Sequence, residues 1–88
     1  MRHAGPEALA RLEPLLCELR TRAALKEKSP CTFYRGNRAF LHFHEHGAEF
    51  YADVRLQDDF ERFPATTVKD RTMLLKRVDA ALIPFTSR

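Results

Sequence analysis

The chain has 88 residues, 44% of them hydrophobic, with 15 Lys and Arg against 12 Asp and Glu for a net charge of +3. One small folded domain over 1–88 is expected, globular rather than disordered and too short for two. No apolar run approaches ~18 residues, so no helical membrane span is expected, and "MRHAGPEALARLEP" lacks the continuous apolar core of a secretory signal. The two cysteines, Cys17 and Cys31, are too few for a disulfide framework and match no zinc spacing. Both are expected to be reduced, with Cys17 buried on a helix, which makes the cytoplasm the expected location.

The first element is a helix from about Pro6 to Ala24. Leu9, Leu12, Leu16, Leu19 and Ala23 recur at steps of three and four. Pro6 suits the first turn, whereas Pro14 should bend the helix near Ala10. "KEKSPC" reads as a polar connection broken at Ser29-Pro30. "TFYRGNRAFLHFHE" then reads as a hairpin turning at Gly36-Asn37, and "EHGA" as the next turn, before the alternating strand "EFYADVRL".

A loop over residues 45 to 48 sets His44 opposite Glu49, Phe43 opposite Phe50, His42 opposite Tyr51, Leu41 opposite Ala52 and Phe40 opposite Asp53. One face then collects Leu41, Phe43, Phe50, Ala52, Val54 and Leu56. The other collects Phe40, His42, His44, Glu49, Tyr51, Asp53 and Arg55. At the first turn Tyr34 falls opposite Ala39 and Phe33 opposite Phe40. Residues 58–64 read as a helical turn or a short strand, and the spacing of Phe60 and Phe63 favours a turn or irregular edge segment. The last helix starts at Thr67, with Asp70 completing a capping box, carries Leu74, Leu75, Val78, Ala81 and Leu82, and ends before Pro84. The expected fold is α+β: an N-terminal helix, an antiparallel meander of at least three strands and a C-terminal helix. Both helices should cover one sheet face, since two apolar stripes and one apolar face solve each other's burial problem.

The opposite face carries the candidate chemistry. His42 and His44 are two apart on a strand and point the same way. With Glu49 beside them they form a two-histidine, one-carboxylate set for a divalent metal, with Asp53 a more distant substitute. His46 lies in the turn. The plainer reading is solvated histidines on a wet sheet face. Phe33, Phe40 and Tyr51 on that face point to a cover: a second copy forming a homodimer, a protein partner or a small ligand. The favoured function is therefore a non-enzymatic interaction or ligand-binding module using Phe33, Phe40, His42, His44, Tyr51, Asp53 and Arg55. It needs no cofactor unless the metal site is real. Histidines meeting at such an interface would also make it weakly sensitive to pH. Arg35, Arg38 and Arg55 flank these aromatics, so a weak nucleic-acid-binding module is a further alternative. No nucleophile elbow and no glycine-rich phosphate loop is present, and no catalytic residue stands out.

"RAFLHFHEHGAEFYADVRL" followed by "FERFP" is similar to the small proteins labelled "luciferase domain". In that pattern an Ala-Phe-x-His-x-His strand precedes a turn, a Leu/Val-rich strand and a Glu-Arg-His-Pro-like segment. Ala39, Phe40, His42, His44, Glu61, Arg62 and Pro64 stand at the matching places, with Phe63 where the pattern has histidine. The resemblance covers about half of the chain and implies neither light emission nor any other activity. A second resemblance, to small helix-sheet-helix proteins of the YjbR type, rests on architecture alone.

Overall fold

A computed structural model describes residues 6–82 and the backbone of residues 2–3. The order is β1 (Arg2–His3), α1 (Pro6–Arg20), β2 (Leu25–Ser29), β3 (Thr32–Arg35), β4 (Arg38–His46), β5 (Glu49–Arg55), β6 (Phe60–Pro64) and α2 (Val68–Leu82). Strands β2 to β6 form an antiparallel meander in sequence order, and β1 pairs with β4 so that the backbone of His3 lies opposite His44. The fold is thus the expected α+β arrangement of two terminal helices around an antiparallel sheet. Among the described residues no helix is long and apolar enough to cross a membrane.

Helix α1 buries Ala8, Leu12, Leu15, Leu16 and Leu19, one stripe at helical spacing. It runs through Pro14, which sits on the exposed side, so the Ala10 carbonyl that loses its donor faces outward and is not stranded in the core. The helix stops at Arg20 and not at Ala24. The amides of Thr21 and Arg22 fall back onto the Glu18 and Leu19 carbonyls at 3.2 and 3.1 Å, a tightened last turn. Arg22 Nη1 also donates to the Glu18 carbonyl at 2.7 Å. Cys17 lies on the exposed side, not the buried one, because it shares a helix face with the exposed Glu13 and Arg20, four residues before and three after it.

The segment read as a polar connection is strand β2. Its alternation is hidden because an edge strand needs little apolar surface: Leu25 is buried and Glu27 half-buried, while Lys26 and Lys28 are exposed. Ser29 pairs with Thr32 across a Pro30-Cys31 turn, and Cys31 takes the left-handed position (φ 65°) that glycine usually fills. The thiol is buried there, and burial pushes its titration up to about 11.

The hairpins at Gly36 and Gly47 turn in two residues, each glycine taking a positive φ of 66° and 62°. The second turn is Gly47-Ala48 alone. Pairing therefore continues to His46 opposite Glu49, and the whole register lies two residues from the expected one. A shift of two preserves the faces, because side chains alternate with period two. Leu41, Phe43, Ala52 and Val54 are fully buried and Phe50 nearly so, with Leu56 packed at the margin. They meet the leucines of α1 and Leu74 and Val78 of α2 in one core.

Between β3 and β4, Tyr34 pairs with Ala39 as expected, but Phe33 pairs with Leu41, leaving Phe40 as the extra residue of a β-bulge. Both Phe33 (0% exposed) and Phe40 (3%) enter the core, so neither lies on the outer face. Residues 60–64 form strand β6 and not a helical turn, with Phe63 opposite Ala52 and Arg62 opposite Asp53.

Helix α2 starts on the expected capping box. Thr67 Oγ1 accepts the Asp70 amide at 3.0 Å, and Asp70 Oδ2 accepts the Thr67 amide at 3.1 Å. Pro84 lies outside the described residues. Arg22 ties the helices together through a forked pair to Asp79, 2.9 Å on each arm. Thr67→Ala should cost about 1 kcal/mol in urea unfolding with an unchanged m-value. An unchanged midpoint would mean that the cap does not hold this helix.

Candidate metal centre

The two helices occupy one side of the sheet, which leaves the side chains of the other side to one another. In the observed register His42 lies directly opposite Asp53, and His44 lies opposite Tyr51. Asp53 is thus diagonal to His44, within reach of an imidazole on the same face. His44 Nε2 stands 3.0 Å from Asp53 Oδ2. The His42 and His44 rings meet edge to face, with centroids 4.7 Å apart. One potential ligand atom each from His42, His44 and Asp53 lies within 4.8 Å of the others.

Strand β6 completes the site. Asp53 faces Arg62 across the β5–β6 pair, and the guanidinium forks onto the carboxylate: Nε donates to Oδ1 at 2.8 Å and Nη2 to Oδ2 at 3.1 Å. Asp53 is 8% exposed, the one buried charged residue among those described. The Arg62 guanidinium holds its carboxyl below the usual aspartate range, burial opposes this, and the nearby imidazoles reinforce it when charged. Phe60, 37% exposed, lies two residues before Arg62 and walls the cluster: its ring is 4.9 Å from that of His42 and carries the Arg55 guanidinium 4.5 Å from its centroid.

The expected carboxylate is displaced. Glu49 sits at the hairpin end opposite His46 and accepts the Tyr51 hydroxyl at 2.9 Å, four pairs along the ladder from Asp53. The two-residue turn is the reason, since it moves every β5 partner along by two. His42, His44, Asp53, Tyr51 and Arg55 share the outer face, and Phe33 and Phe40 leave it for the core. Arg35 donates to the Ala81 carbonyl of α2 at 2.9 Å, and with Arg38 and Arg55 it lines a cavity of about 120 Å³ at the end of the sheet. Reading the sequence alone did not place Arg62 or Phe60 at the site. The signal was the alternation of Phe60, Arg62 and Pro64 in "FERFP", legible once that segment is taken as a strand.

No family model, curated protein or solved structure matches this chain. The chemistry of the site therefore rests on its donors. Two imidazoles and a carboxylate suit zinc or iron(II). An ion about 2.1 Å from each donor sets neighbouring donors roughly 3.0–3.4 Å apart, so side-chain rotations of about an ångström close the set.

Several carboxylates sit below their usual range. Asp53 is held down by Arg62, Asp79 by Arg22, Asp70 by the amides of Thr67 and Thr66, and Glu13 by Arg20. Each contributes stability that is complete above its unfolded value and is lost as pH falls through its lowered folded value. Thermal stability should fall as pH drops below about 4. A midpoint that stayed constant down to about pH 2 would contradict these pairings.

Proposed function

We propose that this protein is a divalent-metal-binding module whose centre is His42, His44 and Asp53 on the helix-free face of the sheet. The observation that carries the reading is the convergence of their three ligand atoms within 4.8 Å. Three protein donors leave further coordination positions open toward solvent, the arrangement of a site that binds something besides its metal. The alternative of an aromatic docking face loses its main support, because Phe33 and Phe40 are core residues. Among the described residues the outer side keeps Tyr51 and Tyr34, with Phe60 at the rim of the site.

The test is thermal unfolding of tag-free protein with zinc, iron(II) or manganese. A ligand bound only by the native state, at about a hundred times its Kd, adds about 2.7 kcal/mol. For a domain of this size that is a rise of roughly 10–20 °C. The rise should vanish in His42→Ala and His44→Ala. Wild-type protein whose melting temperature ignores all three metals would refute the proposal.

A further inference from the structure

The charges around the cluster do not balance once a cation enters. Asp53 is neutralised as it stands: Arg62 occupies Oδ1 at 2.8 Å and shares Oδ2 at 3.1 Å with His44 at 3.0 Å. A divalent ion on the same carboxylate would face the Arg62 guanidinium at close range in a half-buried setting, where like charges repel strongly. A second guanidinium, that of Arg55, is held nearby over Phe60. Among the described residues no second carboxylate joins the cluster of His42, His44 and Asp53. Glu49 is engaged by Tyr51 at the far end, and Glu45 and Glu61 alternate to the other side, opposite Phe50 and Val54. One carboxylate would thus serve a divalent cation and two arginines.

Arg62 can move. Its side chain is 49% exposed, it stands on the outermost strand, and its hydrogen bonds among the described residues all go to Asp53. Its fork is already set for a pair of oxygens on one atom, the geometry shared by carboxylates and phosphates. The metal, with three protein donors, has open positions on that same side.

We infer that the centre binds its cation together with a small oxyanion, a carboxylate or a phosphate, and that Arg62 passes from Asp53 to that anion when the cation arrives. The inference rests on the metal reading above. It makes Arg62 a placeholder in the empty site and an anion anchor in the filled one.

The experiment uses the full chain with cobalt(II), whose visible absorption reports its coordination sphere, titrated first alone and then with low-millimolar inorganic phosphate or acetate. Wild-type protein should bind cobalt, and at least one anion should shift the spectrum; the arm that saturates at lower concentration assigns the anion class. Arg62→Gln should bind cobalt about tenfold more tightly, having lost the competing charge. It should bind the anion about tenfold more weakly, having lost the fork. Arg62→Lys, which keeps the charge without the fork, should fall between on the anion. Two results would overturn the inference while leaving the metal reading intact: cobalt binding with no response to either anion, or anion titrations equal in wild type and Arg62→Gln. Weaker cobalt binding by Arg62→Gln also overturns it, because Arg62 would then merely orient Asp53. Failure of wild-type protein to bind cobalt at all would overturn both readings.

Discussion

Phe43→Ala is expected to remove about 3–5 kcal/mol of stability, the cost of emptying a fully buried aromatic site that cannot collapse around the gap. Phe43 is 0% exposed, stands opposite Ala52 on the central β4–β5 pair, and belongs to the core that both helices share. An 88-residue domain has a total stability of only about 4–13 kcal/mol at typical values per residue. The variant should therefore be partly unfolded at room temperature or melt tens of degrees lower. Phe60→Ala makes the comparison, because Phe60 is 37% exposed on the other side and its loss should cost about 1 kcal/mol or less. Urea unfolding of the two variants checks the assignment of faces. Equal losses would mean that the sheet does not present β4 to the helices as described.

Asp53→Asn is expected to abolish metal binding while sparing the fold. Asparagine keeps the shape and can still accept one hydrogen bond from Arg62, whose half-exposed guanidinium is satisfied by water. The fold should lose no more than about 1–2 kcal/mol. Affinity for zinc should fall by at least about 100-fold, since even outer-sphere partners of metal ligands cost 10–100-fold when removed. Glu49→Gln is the control that separates the observed register from the expected one. Glu49 lies at the hairpin end with Tyr51, so its loss should leave zinc affinity unchanged. Calorimetric titration of the two variants decides. If Glu49→Gln loses zinc and Asp53→Asn retains it, the carboxylate has been misassigned.

Much of this arrangement was legible in the sequence, and the exceptions have physical causes. Strict alternation in "LHF" and "EFYADV" set the two faces regardless of turn length, because any even shift returns the same residues to the core. The turn itself was not legible. Gly47 at positive φ permits a two-residue connection as readily as a longer one, and that choice decides whether Glu49 or Asp53 meets the histidines. Phe33 and Phe40 were misplaced for a related reason: a bulge is an extra residue, and alternation breaks where it sits. Strands β2 and β6 were obscured because edge strands carry charge where inner strands carry apolar residues. Reading "FERFP" as a turn also concealed Arg62, which Asp53 needs as a partner before it can lie buried.

The most direct test of the central claim is elemental analysis of protein purified without a histidine tag, loaded with one metal at a time, desalted and counted for metal per chain. Close to one equivalent of zinc or iron is expected in wild type and in Glu49→Gln, and essentially none in His42→Ala, His44→Ala or Asp53→Asn. Wild-type protein that leaves the column free of metal, or variants that carry as much metal as wild type, would contradict it.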